Sequence, residues 1–233
     1  MKTSPILFSG PMVRALLDGT KTQTRRVMKP QPTLEPDKTW DWNPEPRGIS
    51  YFWMPDEGPG ARIIERCPYG VPGDLLWVRE TWGVRGWMSD PAPLAGEHLE
   101  GLRLTLNYRA DDHMSWTRYP DDPEYARIRS LVKCYNDETR WRPSTNMPRW
   151  ASRLTLRITD VRVQRVRDIS DDDVEKEGLA WYSLGGHPRW PRNGRFAENW
   201  VTMHGRQSWC NNEWVWALSF DVVRGNVEDI DHD

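Results

Sequence analysis

Alternating apolar positions predict two strands in the second half of the chain. The first has aliphatic side chains at every second position, with a break at Thr159-Asp160: Leu154, Leu156, Ile158, Val161 and Val163. The second lies near the end of the chain and is mostly aromatic: Trp214, Trp216, Leu218, Phe220 and Val222. A period of two is typical of sheet strands, and we expect the last strand to close a sheet.

The first 28 residues predict a strand, a helix and a strand. Residues 5–8 form a short apolar run. Ser9 or Gly10 then caps a helix that has Pro11 near its first position and Gly19 as its end. Residues 22–28 alternate again, which favours a strand.

A short helix over residues 170–178 is predicted by several agreeing signals. Ser170 is placed as the N-cap, three aspartates follow it, and Ile169 and Val174 have the spacing of a hydrophobic staple. Gly178 ends this helix after two turns. A second helix is predicted around residues 196–203, where Phe196, Trp200 and Met203 share one face.

The remaining pattern predicts an α+β fold with long irregular insertions. Residues 75–80 and 103–109 read as strands, whereas 30–70 and 110–150 show little periodicity. Short strands with small helices favour a mixed β-barrel. We predict a single domain over residues 1–225 with insertions at about 30–70 and 81–150, followed by a frayed acidic tail at 226–233.

Composition excludes several classes of protein. The mean hydropathy is -0.79, and neither a signal peptide nor a run of about 18 apolar residues is present, which favours a cytoplasmic protein without membrane contact. The three Cys and five His show no ligand spacing, so we expect no metal, cofactor or disulfide scaffold. The net charge of -2 gives no overall attraction to nucleic acid.

One motif carries candidate chemistry at the first helix-to-strand junction. The sequence Gly19-Thr-Lys21-Thr-Gln-Thr24-Arg-Arg26 resembles the signature G-x-K-x-x-T-x-R of the ASCH family, in the PUA-like superfamily. The similarity continues in the Gly73-Asp74 turn, the helix at 170–178 and the aromatic last strand. It covers about half of the chain and implies a PUA-like mixed β-barrel.

The resemblance also implies an activity. Small bacterial members of the ASCH family are amidohydrolases that remove the acetyl group of N4-acetylcytidine, and no cofactor is implied. Their proposed active residues correspond to Lys21, Thr24 and Glu177 in this sequence, with Glu175 as a fallback. Other members bind RNA, and some are reported to cut it.

The chemistry of these residue types suits hydrolysis of an acylated amine. Thr24 supplies a hydroxyl whose proton must pass to a base during attack. Lys21 could be that base only if its pKa fell close to neutrality, which an ionised Glu177 opposes. Glu177 as base, with a cationic Lys21 facing the oxyanion, is the other assignment, and both stay open. Arg26 is expected to hold the pyrimidine O2 or the oxyanion.

Strand geometry constrains this hypothesis. Residues three apart on a strand point to opposite faces, so Lys21 and Thr24 share a site only if Lys21 belongs to the preceding turn. Glu80, between two Trp at a strand end, is a further candidate that could accept from the cytosine edge. Its alternative interpretation is an acid paired with an Arg.

Two other functions compete with the hydrolase. Residues 127–167 are strongly basic and could form an RNA track, although the acids at 168–178 could equally neutralise them. The alternatives are therefore a non-catalytic RNA-binding module and a ribonuclease. The expected partner is a small nucleoside substrate, with RNA as a second possibility, and the oligomeric state is not indicated.

Overall fold

The strands and helices place the fold in the mixed α+β class. The structure, a computed structural model, describes residues 1–34, 40–41, 52–53, 67–88, 102–118, 140–179 and 192–230. Residues 127–139 of the basic stretch and 231–233 of the acidic tail lie outside these ranges. The strands are β1 (Thr3–Leu7), β2 (Gln23–Val27), β3 (Thr33–Leu34), β4 (Trp40–Asp41), β5 (Phe52–Trp53), β6 (Leu75–Arg79), β7 (Trp82–Met88), β8 (Leu102–Tyr108), β9 (His113–Arg118), β10 (Arg140–Arg142), β11 (Leu154–Arg165) and β12 (Trp214–Arg224). The helices are α1 (Gly10–Leu17), α2 (Asp171–Lys176), α3 (Arg192–His204), α4 (Arg206–Cys210) and α5 (Val227–Ile230).

Both ends of the chain contribute to a five-stranded sheet. Its order is β1-β6-β11-β12-β2, in which β1 and β6 are parallel and the other pairs are antiparallel. The register of β11 against β12 shifts between Ile158 and Asp160, where the sequence pattern breaks. The alternating apolar side chains of both long strands lie in the main core, which confirms the two predicted strands.

The predicted barrel is not closed within the part of the chain that the structure describes. β1 and β2 lie at opposite ends of the strand order and have no second neighbour there. A side chain bridges them instead of a backbone ladder, since Arg26 Nη2 donates to Leu7 O at 2.6 Å. The gap between these two edges leaves room for a cavity.

The insertion at 81–150 contains a second sheet, of order β10-β7-β8-β9. It has a core of its own, in which the rings of Trp82 and Trp150 meet edge to face at a centroid distance of 5.9 Å. The sequence predicted only the strand that corresponds to β8. β7 carries two glycines and little alternation, which concealed it, and β3, β4 and β5 form a third, small sheet in the first insertion.

The helices agree with the sequence pattern except at the end of the chain. Ser170 caps α2 and accepts from Asp173 N at 3.2 Å, as predicted. α3 is longer than its predicted stretch. The expected frayed tail is wrong over its first residues, because Val227 in α5 is fully buried against Leu75 and Trp77. No helix within the described ranges is long and apolar enough to cross a membrane.

Candidate active site

The turn after α1 brings Lys21 beside the end of α2. Gly19 adopts a φ of +72°, and the backbone N–H groups of Thr20 and Lys21 both donate to Ala15 O. Lys21 then forms an isolated antiparallel bridge with Glu177 before β2 begins at Gln23. Lys21 therefore belongs to the turn, as the strand geometry required.

All three ammonium protons of Lys21 are donated inside the protein. The side chain is fully buried, and Nζ donates to Gln23 O at 2.8 Å, to Glu177 O at 2.9 Å and to Glu177 Oε2 at 2.6 Å. Burial lowers the pKa of Lys21, while the Glu177 carboxylate opposes that shift. The lysine holds Glu177 through both its backbone and its side chain.

Arg25 completes the charged cluster and was missed by the sequence analysis. Its Nη1 donates to Glu177 Oε1 at 3.0 Å and to Gln23 Oε1 at 2.7 Å, and its Nη2 donates to Asp173 Oδ2 at 2.8 Å. Strand alternation placed Arg25 on the face opposite Thr24 and Arg26, so no pattern signal pointed to it. The cluster leaves neither oxygen of Glu177 without a cation, which buried carboxylates require.

A cavity of about 290 Å³ lies beside this cluster, between the edges of β1 and β2. Thr24, Arg25, Arg26 and Glu177 line one side of it. Lys21 is not among the lining residues and sits behind Glu177. The structure therefore brings the three predicted catalytic residues together, with two of them at the cavity surface. Glu175, the fallback, is exposed and does not line the cavity.

Thr24 and Arg26, the two predicted site residues on β2, each have a polar atom without a hydrogen-bond partner among the described residues. Thr24 is only 3% exposed, and its hydroxyl has no hydrogen-bond partner among the described residues. The Nε of Arg26 is buried and equally unpartnered within the described ranges. Buried polar atoms are usually satisfied, so Arg26 Nε is a candidate to meet a ligand, and the unpartnered Thr24 hydroxyl on the cavity wall is a second candidate.

One face of α3 forms the opposite wall. It is mostly aromatic and carries two polar side chains: Phe196, Asn199, Trp200, Met203 and His204. The sequence pattern identified Phe196, Trp200 and Met203 as sharing a face. Asn199 and His204 were missed, although their positions three and eight residues after Phe196 place them on that same face.

Glu80 is not brought to the cavity. It is 1% exposed, and its two oxygens accept from Arg153 Nε at 2.8 Å and Nη2 at 3.0 Å. Arg153 also pairs with Asp111 at 2.8 Å. Glu80 is not among the residues that line this cavity, so a contact with substrate there stays a prediction, and the alternative interpretation, an acid paired with an Arg, describes the contacts of Glu80.

The described arginines of the basic stretch are largely engaged within the protein. Arg162 pairs with Asp160 and Asp173, and Arg167 donates to Trp209 O and Cys210 O. Arg165 donates to Asn212 O. Of these three arginines, Arg162 is paired with acids, while the other two are held by backbone carbonyl oxygens, so all three side chains have partners within the protein.

Groups of three or more His, Cys, Asp or Glu that could hold a metal ion are absent from the described residues. Comparisons with protein-family models, with curated proteins and with solved structures found no match to this chain.

Proposed function

We propose that this protein is an amidohydrolase that removes the acyl group from N4-acylated cytosine nucleosides, and that it belongs to the ASCH family with an opened PUA-like barrel. One observation carries the proposal: the unpartnered Thr24 hydroxyl and the Glu177 carboxylate line a single cavity, and Lys21 holds Glu177 from behind. These are the three residues to which the resemblance to the ASCH family assigns the activity.

The cavity suits a single nucleoside. Its volume of about 290 Å³ is just below the roughly 300–1,000 Å³ that is typical of ligand pockets. Apolar and aromatic walls with a few polar groups are typical of sites that hold a planar base. Arg26 is the group proposed to meet the pyrimidine O2 or the acyl oxygen.

The first half of the reaction transfers the acyl group to Thr24. The Oγ attacks the acyl carbon, its proton passes to a base, and the carbonyl electron pair moves onto oxygen. Collapse of this intermediate breaks the bond to N4, which takes up the proton and leaves as the amino group of the cytosine. An acyl-Thr24 ester remains for water to hydrolyse.

Glu177 is favoured over Lys21 as the base for this half. Glu177 lines the cavity and each of its oxygens keeps a further lone pair. Lys21 would have to break a hydrogen bond and leave its buried position to accept a proton. Lys21 is therefore proposed to hold Glu177 in place and to supply positive charge near the oxyanion.

The test is release of cytidine from N4-acetylcytidine by the purified protein in the presence of EDTA. Thr24→Val removes the hydroxyl at nearly constant volume, and we expect kcat/KM to fall by at least about a hundredfold. Thr22→Val makes the same change two residues away, outside the cavity lining, and should leave kcat/KM near the wild-type value. Turnover by Thr24→Val at the wild-type rate would exclude this mechanism. Tight, salt-sensitive binding of RNA without any cytidine release would favour the RNA-binding alternative.

A further inference from the structure

His204 lines the same cavity and has no role in the proposed first half of the reaction. Neither ring nitrogen has a hydrogen-bond partner within the described part of the chain. Among the other charged side chains of the lining, Glu177 is the proposed base of the first half and is paired with Lys21 and Arg25, and the guanidinium groups of Arg25 and Arg26 have no acceptor atom. The imidazole is therefore the lining group best able to exchange protons with solvent.

The imidazole lies at the mouth of the cavity, whereas the acyl acceptor lies deeper. Residue 204 is exposed, and the neighbouring lining residues Met203 and Leu7 are 45% and 41% exposed. Thr24 and Glu177 are buried. The exposed part of the lining, where water enters, therefore includes His204, and the ester on Thr24 would lie in the buried part.

A buried tryptophan fixes the orientation of this ring. His204 packs on Trp200 with ring centroids 4.2 Å apart and planes 35° from parallel. Trp200 is held in turn, because its Nε1 donates to Ser208 Oγ at 3.0 Å and Ser208 Oγ donates to Glu213. The imidazole, although exposed on one side, therefore packs against a side chain that is anchored in the core.

The surroundings favour the neutral imidazole. Burial lowers the pKa of His204, Arg26 and Lys29 lower it further, and Glu213 opposes them. The C-terminal end of α3, where His204 lies, also opposes the shift. The net direction is downward from the ordinary value, so the ring is in its proton-accepting form at neutral pH.

We infer that His204 is the general base that activates water in the second half of the proposed reaction. The inference rests on the proposed function. As the water oxygen bonds to the acyl carbon, one water proton moves to the imidazole. The ester bond to Thr24 then breaks, its electron pair stays on Oγ, and the imidazolium returns the proton to Oγ. A carboxylic acid leaves, and both side chains regain their starting forms.

The test compares His204→Gln with the wild-type protein on N4-acetylcytidine. We expect a burst of cytidine equal to the amount of enzyme, followed by turnover about a hundredfold slower than wild type. Intact-mass measurement should then find one acetyl group per chain, located on Thr24. His113→Gln, which changes an exposed histidine outside this cavity, is the matched control and should show neither effect. Imidazole added to His204→Ala should restore turnover, and kcat of the wild type should decline at acid pH.

The outcomes separate this inference from the proposed function. If wild-type protein releases no cytidine even in a single turnover, the proposed function fails and the inference fails with it. If the wild type turns over and His204→Gln matches it without retaining acetyl, only the inference is overturned. If His204→Gln unfolds at the wild-type temperature but shows neither the burst nor further turnover, His204 acts in the first half of the reaction. That result would also overturn the inference.

Discussion

Lys21 is a charge enclosed entirely by protein, and its role as a structural partner is separable from any role in catalysis. Each of its donated hydrogen bonds ends on Gln23 or Glu177. Removing one partner of a buried ion pair leaves the other charge without compensation, which is more costly than removing both.

We therefore expect Lys21→Met to lower the free energy of unfolding by about 3 kcal/mol. The double variant with Glu177→Gln should lose less than the sum of the two single losses, because the uncompensated carboxylate is gone. Urea denaturation of the four proteins completes this cycle. Additive losses would show that the 2.6 Å contact contributes no coupling.

At the residue scale, the sequence identified individual candidate site residues better than it identified the partners of those residues. Thr24 and Glu177, both named from the resemblance, line one cavity, and Lys21 contacts Glu177. Arg25 was overlooked because its long side chain reaches a site that its place on the strand does not suggest. For Glu80 the sequence offered both a substrate contact and a pairing with an Arg, but no local pattern identifies the partner, Arg153, which lies 73 residues away.

At the scale of elements, the end of α2 is held against the turn after α1 with little space between them. Gly178 has a φ of +76°, and a Cβ there would lie 2.8 Å from Ala15 Cβ and 2.9 Å from Lys21 Cβ. Only glycine satisfies both the backbone conformation and this close approach.

Gly178→Ala should therefore destabilise the protein and displace Lys21. Gly19→Ala is the matched control, because Gly19 has a φ of +72° but no atom within 4 Å of its Cβ position. Both variants have the left-handed backbone cost of roughly 1–2 kcal/mol. Thermal unfolding should show a larger loss for Gly178→Ala, and deacylation rates should fall only for that variant. Equal losses of thermal stability in the two variants would mean that the neighbouring side chains move aside for the new Cβ of residue 178 at no cost in stability.

Elements with a strong period or clear caps were predictable, and the others were not. Alternating apolar residues predict β11 and β12, and capping residues predict α2. β7 and β9 are stabilised by cross-strand pairing with β8, which no local pattern encodes. No local pattern predicts α5 either. A helix of four residues is not stable by itself and depends on the packing of Val227 against the core.

At the scale of the whole molecule, carboxyl groups connect stability to pH, and three of those in the described ranges have lowered pKa values. Burial acts to raise the pKa values of Asp74, Asp111 and Asp173, but hydrogen bonds and nearby cations outweigh it and lower all three. A lowered carboxyl pKa in the folded state adds stability that is fully present above the unfolded value, about pH 4, and is lost as pH falls through the folded values.

We therefore expect the free energy of unfolding to decline below about pH 4, where the unfolded chain binds more protons than the folded one. Asp173→Asn should be less stable at neutral pH and should show a shallower decline. Asp172→Asn, which changes an exposed neighbour in the same helix, should follow the wild-type curve. Denaturant titrations at a series of pH values make the comparison, and identical slopes for Asp173→Asn and wild type would refute the assignment.

The ion pairs of the site join distant parts of the chain, since Lys21 and Glu177 are 156 residues apart and Arg25 and Asp173 are 148 apart. Such long loops close late during folding, after local turns and helices have formed. Recovery of the proposed deacylase activity on refolding should consequently coincide with the final cooperative step and lag behind the return of helical circular dichroism. Neither half of a chain divided between the second sheet and β11 would contain a working centre, which makes complementation of two split fragments a direct assay for their reassembly.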